Sequence, residues 1–340
     1  MSECLITFSA LTGLLDELKK REIYPSKDFL ESLDHKDFEL NNLSYIPLKK
    51  FSDLLSYSSD VCEEEFLSWS LGSQFQLSFL GELGRAIESA QSLRQSLQTF
   101  CEYSRLFKTW SYLALDIEDD VAILKYKVLD NEYWARDLDA EFTLSFLLSI
   151  IESYVQSKIY INSISFETAP SPIGHYLTNL YRAEISFNCL SNEITFPSSY
   201  LDYQKIGSQS VIHNHLVLKH LSSDLDCFYQ KNSFSEIVRY EIFKLIDEQK
   251  INQKNIGEVL NMSQRSLRRN LFLEGATFKD QVEYCRSTQA KNALNHTSLP
   301  FSEIAFRLGY SDQSSFSRAC MRWFKMSPAA VRLGRQKVTL

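Results

Sequence analysis

"IAFRLGYSDQSSFSRACMRWF", residues 304–324, sets Phe316, Ala319, Cys320, Trp323 and Phe324 at i, i+3, i+4, i+7 and i+8. That spacing is the buried stripe of an amphipathic helix. The opposite face carries Gln313, Ser314, Ser317, Arg318 and Arg322, and no acidic residue follows Asp312 to the chain end. Ahead of this helix, a short helical run holds the small Ala305 where a neighbour must come close, then stops at Gly309, which tolerates positive φ. Ser311 or Asp312 is placed to cap the helix that follows. Two short helices joined this way form a helix-turn-helix, whose second helix enters the DNA major groove.

The unit occurs twice. "IGEVLNMS" (256–263) aligns with "IAFRLGYS" (304–311), Gly257 on Ala305 and Asn261 on Gly309; with one extra residue in the second turn, Leu267 lies on Phe316 and Arg269 on Arg318. The free face of the first copy is Gln264, Arg265, Arg268 and Arg269. Small polar residues let a helix approach base edges closely, while Gln and Arg present the paired groups that discriminate adenine and guanine. Between the copies, residues 277–297 read as one helix of roughly 18 residues, hence about 27 Å long. A strut of that length holds two recognition helices about one DNA turn, roughly 34 Å, apart.

Across 235–335 these residues resemble the DNA-binding domain of AraC/XylS-type bacterial transcription regulators. The resemblance is carried by MSxRxLxRxL from Met262, GxxF from Gly275, Arg286, Ala290, and EIAxxLGYSDQSSFSRAxxRWFxxSPxxxR from Glu303. It implies a bacterial regulator, most often an activator, that binds double-stranded promoter DNA and, when it activates, meets RNA polymerase. Its recognition helices are implied near Ser263–Leu273 and Asp312–Phe324, with Ile256, Leu267, Leu271, Ile304, Ala305, Phe316, Trp323 and Phe324 in the core. Asn261 and Lys325 stand where the family commonly has glycine.

Charge divides the chain in the same place. From Ser233 onward there are 17 Lys and Arg against 10 Asp and Glu; the totals of 36 and 43 leave 19 against 33 for the remainder, so a +7 module is attached to a −14 one. Such asymmetry points to a nucleic-acid partner for the basic part. The expected organisation is an α+β sensing and dimerising domain (1–205), a helical linker (206–234) and an all-α domain with tandem helix-turn-helix motifs (235–340). Helical stripes cover 5–20, 47–58 and 92–107. "YLALDIE" and "VAILKYKV" flank an acidic turn, Glu118 to Asp120, as a β-hairpin. A helix follows at 139–157, then strand candidates "SISFET", "AEISF" and "EITFP", and another helix over 208–233.

"YIPLKKFSDLL" (45–55), "LGELGRAIESAQSLRQSLQTFCEYSRLF" (80–107) and "AEISFNCLSNEITFPSSYLD" (183–202) are similar to the effector-binding domain of the arabinose-binding-like subgroup of these regulators. The resemblance implies a small-molecule effector, such as an amino acid, another metabolite or a lipophilic acid. Candidates to line an apolar cavity with one cationic handle are Trp69, Phe79, Arg85, Tyr103, Phe107, Trp110 and Trp134, although each also fits an ordinary core or surface role. The competing reading is a DNA-anchored regulator whose first domain binds a protein partner. A closed apolar cavity favours the sensor, and a filled core with an exposed apolar patch favours the partner.

Other chemistry finds little footing. The longest apolar run, "FTLSFLLSII" (142–151), is about half a membrane span, and the N-terminus lacks the basic start and unbroken apolar core of a secretory signal, so a cytoplasmic protein is expected. Seven cysteines without a CxxC pair read as reduced thiols. Cys4, Cys62 and Cys101 lack the close spacing of the zinc site in alkyl-DNA repair regulators, which share this type of DNA-binding module. His213 and His215 point about 200° apart on a helix, so with His220 they make no metal site. The GxxG at 81–84 lacks the Lys and Ser/Thr of a phosphate loop, and no GxSxG elbow occurs. No enzyme, cofactor or metal is expected.

Overall fold

The computed structural model describes residues 4–32, 38–40, 43–129, 136–155, 159–205, 211–246 and 251–336. They form two compact units, one running to Phe166 and including Pro170–Phe228, the other comprising Glu167–Ala169 and the chain from Tyr229 onward.

The first unit is α+β. Strands β1 (Leu5–Thr7), β2 (Phe38–Leu40) and β3 (Leu43–Pro47) form an antiparallel sheet in the order β1-β3-β2. Strands β4 (Ser111–Glu118), β5 (Val121–Val128), β6 (Ser163–Ser165), β7 (Glu184–Ser186) and β8 (Asn192–Pro197) form a second sheet, ordered β4-β5-β8-β6-β7, in which the β6–β7 pair is parallel. Glu118 faces Val121 across the hairpin, leaving Asp119 and Asp120 as its two-residue turn, with Asp119 at φ 51°. In β5, Ala122, Leu124, Tyr126 and Val128 are buried, the two-residue alternation of a strand with a core face.

Helix Arg136–Tyr154 packs on β5 and β8 and against helix Leu67–Gln74. Leu144, Leu147, Leu148 and Ile151 are buried on one side and Phe142, Phe146 and Ile150 on the other, which is why this segment shows apolar residues all round in place of a single stripe. The two helices meet at Gly72, where a Cβ would lie 2.2 Å from the Phe142 carbonyl oxygen. No described helix is long and apolar enough to cross a membrane.

Several boundaries differ from the sequence expectation. The stripe expected over 5–20 divides into β1 and helix Phe8–Lys20, because Leu5–Thr7 pairs with β3, Leu5 opposite Pro47. The helix expected over 92–107 is regular only through Leu93–Tyr103 and tightens to a 3-10 turn at Ser104–Leu106. The expected 139–157 and 208–233 helices run over Arg136–Tyr154 and Val211–Lys231. Helices Leu67–Gln74 and Glu82–Glu88, and the β1-β3-β2 sheet, were not expected at all; each is too short for its periodicity to show.

The second unit is all-α, with helices at Phe234–Leu245, Gln253–Val259, Gln264–Leu273, Phe278–His296, Phe301–Arg307, Gln313–Phe324 and Pro328–Gln336. Ser233 and Thr277 each open a helix with a full capping box, closed by Glu236 and Asp280. Glu274 accepts the amides of Phe234 at 2.6 Å and Ser235 at 2.8 Å, tying the end of one helix-turn-helix to the start of the first helix. Val238, Ile242, Ile256, Leu267, Leu271 and Leu294 supply buried apolar side chains in the first half, and Ile304, Ala305, Phe316, Ala319 and Cys320 in the second.

Candidate nucleic-acid interface

The two turns have the same backbone. Met262 N donates to Gly257 O at 2.8 Å, and Tyr310 N donates to Ala305 O at 2.9 Å, the same bond displaced along the sequence repeat. Asn261 takes φ 53° and Gly309 φ 76°, the left-handed residue that ends each first helix. A Cβ on Gly257 would meet Met262 O at 2.7 Å, so the small residue there makes room for the turn itself. Ser263 caps the next helix by accepting from Ser266 N at 3.1 Å. In the second copy the cap is Asp312, which accepts from Ser315 N at 2.7 Å. Bonds from the Ser315 amide and hydroxyl hold the Asp312 carboxyl below its ordinary range.

These caps launch two helices whose inner faces are buried and whose outer faces are bare. On Gln264–Leu273, Leu267 and Leu271 point inward, while Gln264, Arg265, Arg268 and Arg269 are exposed. Their guanidinium groups make no ion pair with any described residue, so their charge is available to phosphate. On Gln313–Phe324, Phe316, Ala319 and Cys320 are buried; Gln313, Ser314 and Arg318 are exposed and Ser317 half-buried. Arg318 Nη2 donates to Ser315 Oγ at 2.8 Å, which orients it without neutralising it. Arg322 differs. It pairs with Glu283 on helix Phe278–His296, and Trp323 Nε1 donates to the same carboxylate oxygen at 3.1 Å. Trp323 and Phe324, expected in the core, are only half-buried, since the helix end presents them to the joint with its neighbour.

Helix Phe278–His296 has 19 residues, hence a length of about 28 Å at 1.5 Å per residue. It packs against Gln313–Phe324 and against Phe234–Leu245, which in turn contacts Gln264–Leu273. Among the described residues no group of three or more His, Cys, Asp or Glu could hold a metal ion.

Cavities open among the described residues of the first unit. One, of about 30 Å³, is lined by phenylalanines including Phe51, Phe75, Phe142 and Phe146, with the ammonium of Lys108 at its wall. Lys108 Nζ lies 2.6 Å from Asp139 Oδ1 and 2.8 Å from the Tyr126 hydroxyl, which itself donates to Asp139. Burial, then the Asp139 charge, push the Tyr126 hydroxyl well above its ordinary value. The second cavity encloses about 400 Å³ beside β1, helix Glu82–Glu88 and helix Val211–Lys231. Of the residues nominated from sequence, Phe107 lines both. Trp69 and Tyr103 are buried, Phe79 and Trp110 are half-buried, and Arg85 is exposed and pairs with Glu82 at 3.3 Å. Trp134 lies outside the described residues. Lys108 and Asp139 carried no sequence signal, being 31 positions apart and joined only by the fold.

Two family descriptions match the sequence: "Helix-turn-helix domain" over residues 256–334, and "Arabinose-binding domain of AraC transcription regulator, N-term" over 33–204, half of the chain. The chain belongs to the AraC family of transcription regulators. It is 26% identical over 281 residues to the Ornithine utilization regulator of Pseudomonas aeruginosa, covering 82% of each chain. It is 33% identical over 86 residues to the HTH-type transcriptional activator RhaS of Escherichia coli, covering 25% of this chain and 31% of that one. Superposition on the crystal structure of transcriptional regulator CdpR from Pseudomonas aeruginosa covers 96% of this chain and 98% of that one, at 18% identity and a TM-score of 0.48. This AraC-family chain is therefore a DNA-binding regulator and not an enzyme.

The backbone shows what the two glycine departures cost. Both Asn261 and Lys325 adopt left-handed backbone, at φ 53° and 58°. Asn bears this at small cost, whereas Lys, with no local side-chain bond to its own amide, bears more. Lys325 Nζ instead donates to Arg322 O at 3.2 Å, closing the last turn of the second recognition helix.

Proposed function

We propose that this regulator reads promoter DNA with Gln264, Arg265, Arg268 and Arg269 in one major-groove segment and Gln313, Ser314, Ser317 and Arg318 in the next. Arg322 joins them at the rim, shared with Glu283. The observation that carries this reading is the pair of bare polar faces, repeated on one backbone plan within a single all-α unit. Lysine and arginine contacts to phosphate supply affinity and the two faces supply sequence choice.

The first unit senses a small molecule, and the protein activates transcription, contacting RNA polymerase as a homodimer. The second cavity of the first unit, at about 400 Å³, is of the size small-molecule sites occupy and supports the sensor over a protein-docking domain, as does a relative named for the use of a metabolite. The activator sense is supported by a relative named as an activator. A ligand shifts such a regulator only through different affinities for its two states.

Selection of full-length protein against a random duplex pool, at near-physiological salt, tests the DNA reading. The expected product is a motif of two elements about 10 base pairs apart. A single enriched element, or two at a spacing that puts them on opposite faces of the duplex, would overturn it.

A further inference from the structure

We infer that Phe272 and Met321 read thymine methyl groups, one in each of the two DNA elements. This deepens the DNA reading proposed above and rests on it. Phe272 is 77% exposed and Met321 50% exposed. A single exposed apolar side chain is ordinary. These two, however, hold the same position of the repeat: the register that sets Leu267 on Phe316 and Arg269 on Arg318 also sets Phe272 on Met321. Leu273, the other exposed apolar residue of helix Gln264–Leu273, falls on Arg322, so the apolar character recurs only at Phe272 and Met321.

Helix geometry puts both side chains on the polar faces described above. At 3.6 residues per turn, Phe272 lies about 20° around the axis from Arg265 and about 40° from Arg268. Met321 stands in the same relation to Ser314 and Ser317. Arg265, Arg268, Arg269 and Phe272 thus fall at i, i+3, i+4 and i+7, as do Ser314, Ser317, Arg318 and Met321. The homeodomain, a three-helix variant of the helix-turn-helix, reads the major groove with side chains at that same spacing. The i+7 side chain sits about 10 Å further along the helix than the first, or about three base-pair steps. Of the groups that bases show in the major groove, the C5 methyl of thymine is the apolar one; the others are hydrogen-bond donors and acceptors. The guanidinium groups of Arg265, Arg268 and Arg269, which pair with no described carboxylate, suit phosphate beside Phe272. An apolar protein surface laid on the same face would strip those charges of water without compensation.

Exchange of thymine for deoxyuridine removes the methyl and nothing else. Full-length protein is therefore titrated against the duplex selected from the random pool, with its thymines exchanged one at a time. Binding is expected to weaken about fourfold at one thymine in each element, the equivalent of the roughly 0.8 kcal/mol of one buried methyl. Phe272→Ala and Met321→Ala change exposed positions that the core does not use. Each is expected to bind the thymine duplex more weakly by a similar factor and to become indifferent to the exchange in its own element only. Phe272→Leu, which keeps an apolar contact, is expected to keep the methyl preference. Thymine exchanges that are all silent, or that weaken wild type and variant alike, would overturn the inference. So would variants that bind DNA normally yet lose promoter activation, since the apolar pair would then dock a protein. Arg268→Ala and Arg318→Ala separate this from the DNA reading on which it rests. If they bind the duplex more weakly while every exchange is silent, the DNA reading stands and the methyl contact falls; if they bind it as wild type does, both fall.

Discussion

The indole N–H of Trp323 donates to the carboxylate of Glu283 at 3.1 Å, and the same oxygen receives Arg322. One carboxylate on the long helix thus holds two successive residues at the end of the second recognition helix. Glu283→Ala is expected to destabilise the second unit by about 1 kcal/mol, mainly through the half-buried indole left without an acceptor. The surface ion pair with Arg322 adds little, because water screens it. Since Arg322 is already paired, Arg322→Ala should cost less promoter affinity than Arg318→Ala. Fluorescence anisotropy on a labelled site ranks the two, and a larger loss for Arg322→Ala would place it in direct contact with DNA.

Arg268→Ala and Arg318→Ala remove exposed guanidinium groups that the core does not use. Each is expected to lose about 1 to 3 kcal/mol of specific binding with no change in thermal midpoint. Loss that is uniform across sequences would assign the residue to phosphate; loss confined to one element of the motif would assign it to base edges.

Lys325→Gly relieves a left-handed position. The cost of that backbone for a residue with a Cβ is roughly 1 kcal/mol, and the bond from Lys325 to Arg322 O offsets part of it. Chemical denaturation should show a gain of about 0.5 kcal/mol or more. A net loss would show that the Lys325 bond outweighs the strain.

Glu141, on helix Arg136–Tyr154, is buried, and burial with the nearby Asp137 pushes its carboxyl up to about 8. The unfolded chain titrates near the ordinary carboxylate value of about 4.3. Between those values the folded state holds a proton that the unfolded state has lost, so this residue makes stability fall as pH rises from about 4.3 to about 8. The slope is at most about 1.4 kcal/mol per pH unit. Glu141→Gln should flatten that slope, gaining stability at the alkaline end of the window and nothing near pH 4. Urea denaturation across this range measures it, and an unaltered slope would mean that water reaches the carboxyl.

Helices Gln264–Leu273 and Gln313–Phe324 could be located from sequence because their determinants are local. Ser263 and Asp312 cap at their own helices, and Asn261 and Gly309 turn the chain within a few residues of the groups they satisfy. Each signal lies within one or two helical turns, and the repeat states it twice. Even there, Trp323 and Phe324 look like core in the periodicity and are half-exposed, because burial depends on the neighbouring helix.

The first unit was different. Leu5–Thr7 has the apolar spacing of a helix and becomes a strand because β3 is available to pair with it. The ion pair of Lys108 with Asp139, the wall of Phe51, Phe75 and Phe142, and the approach of Thr7 to Glu82 and Asp224 all join residues far apart in the chain. Alone, the sequence determined that this protein has a basic, twice-repeated DNA-reading unit, since helix periodicity, capping and turn chemistry are short-range. Only the tertiary structure decided where the cavities lie and which charges face them, since an enclosed space belongs to the packing of distant segments and to no one of them.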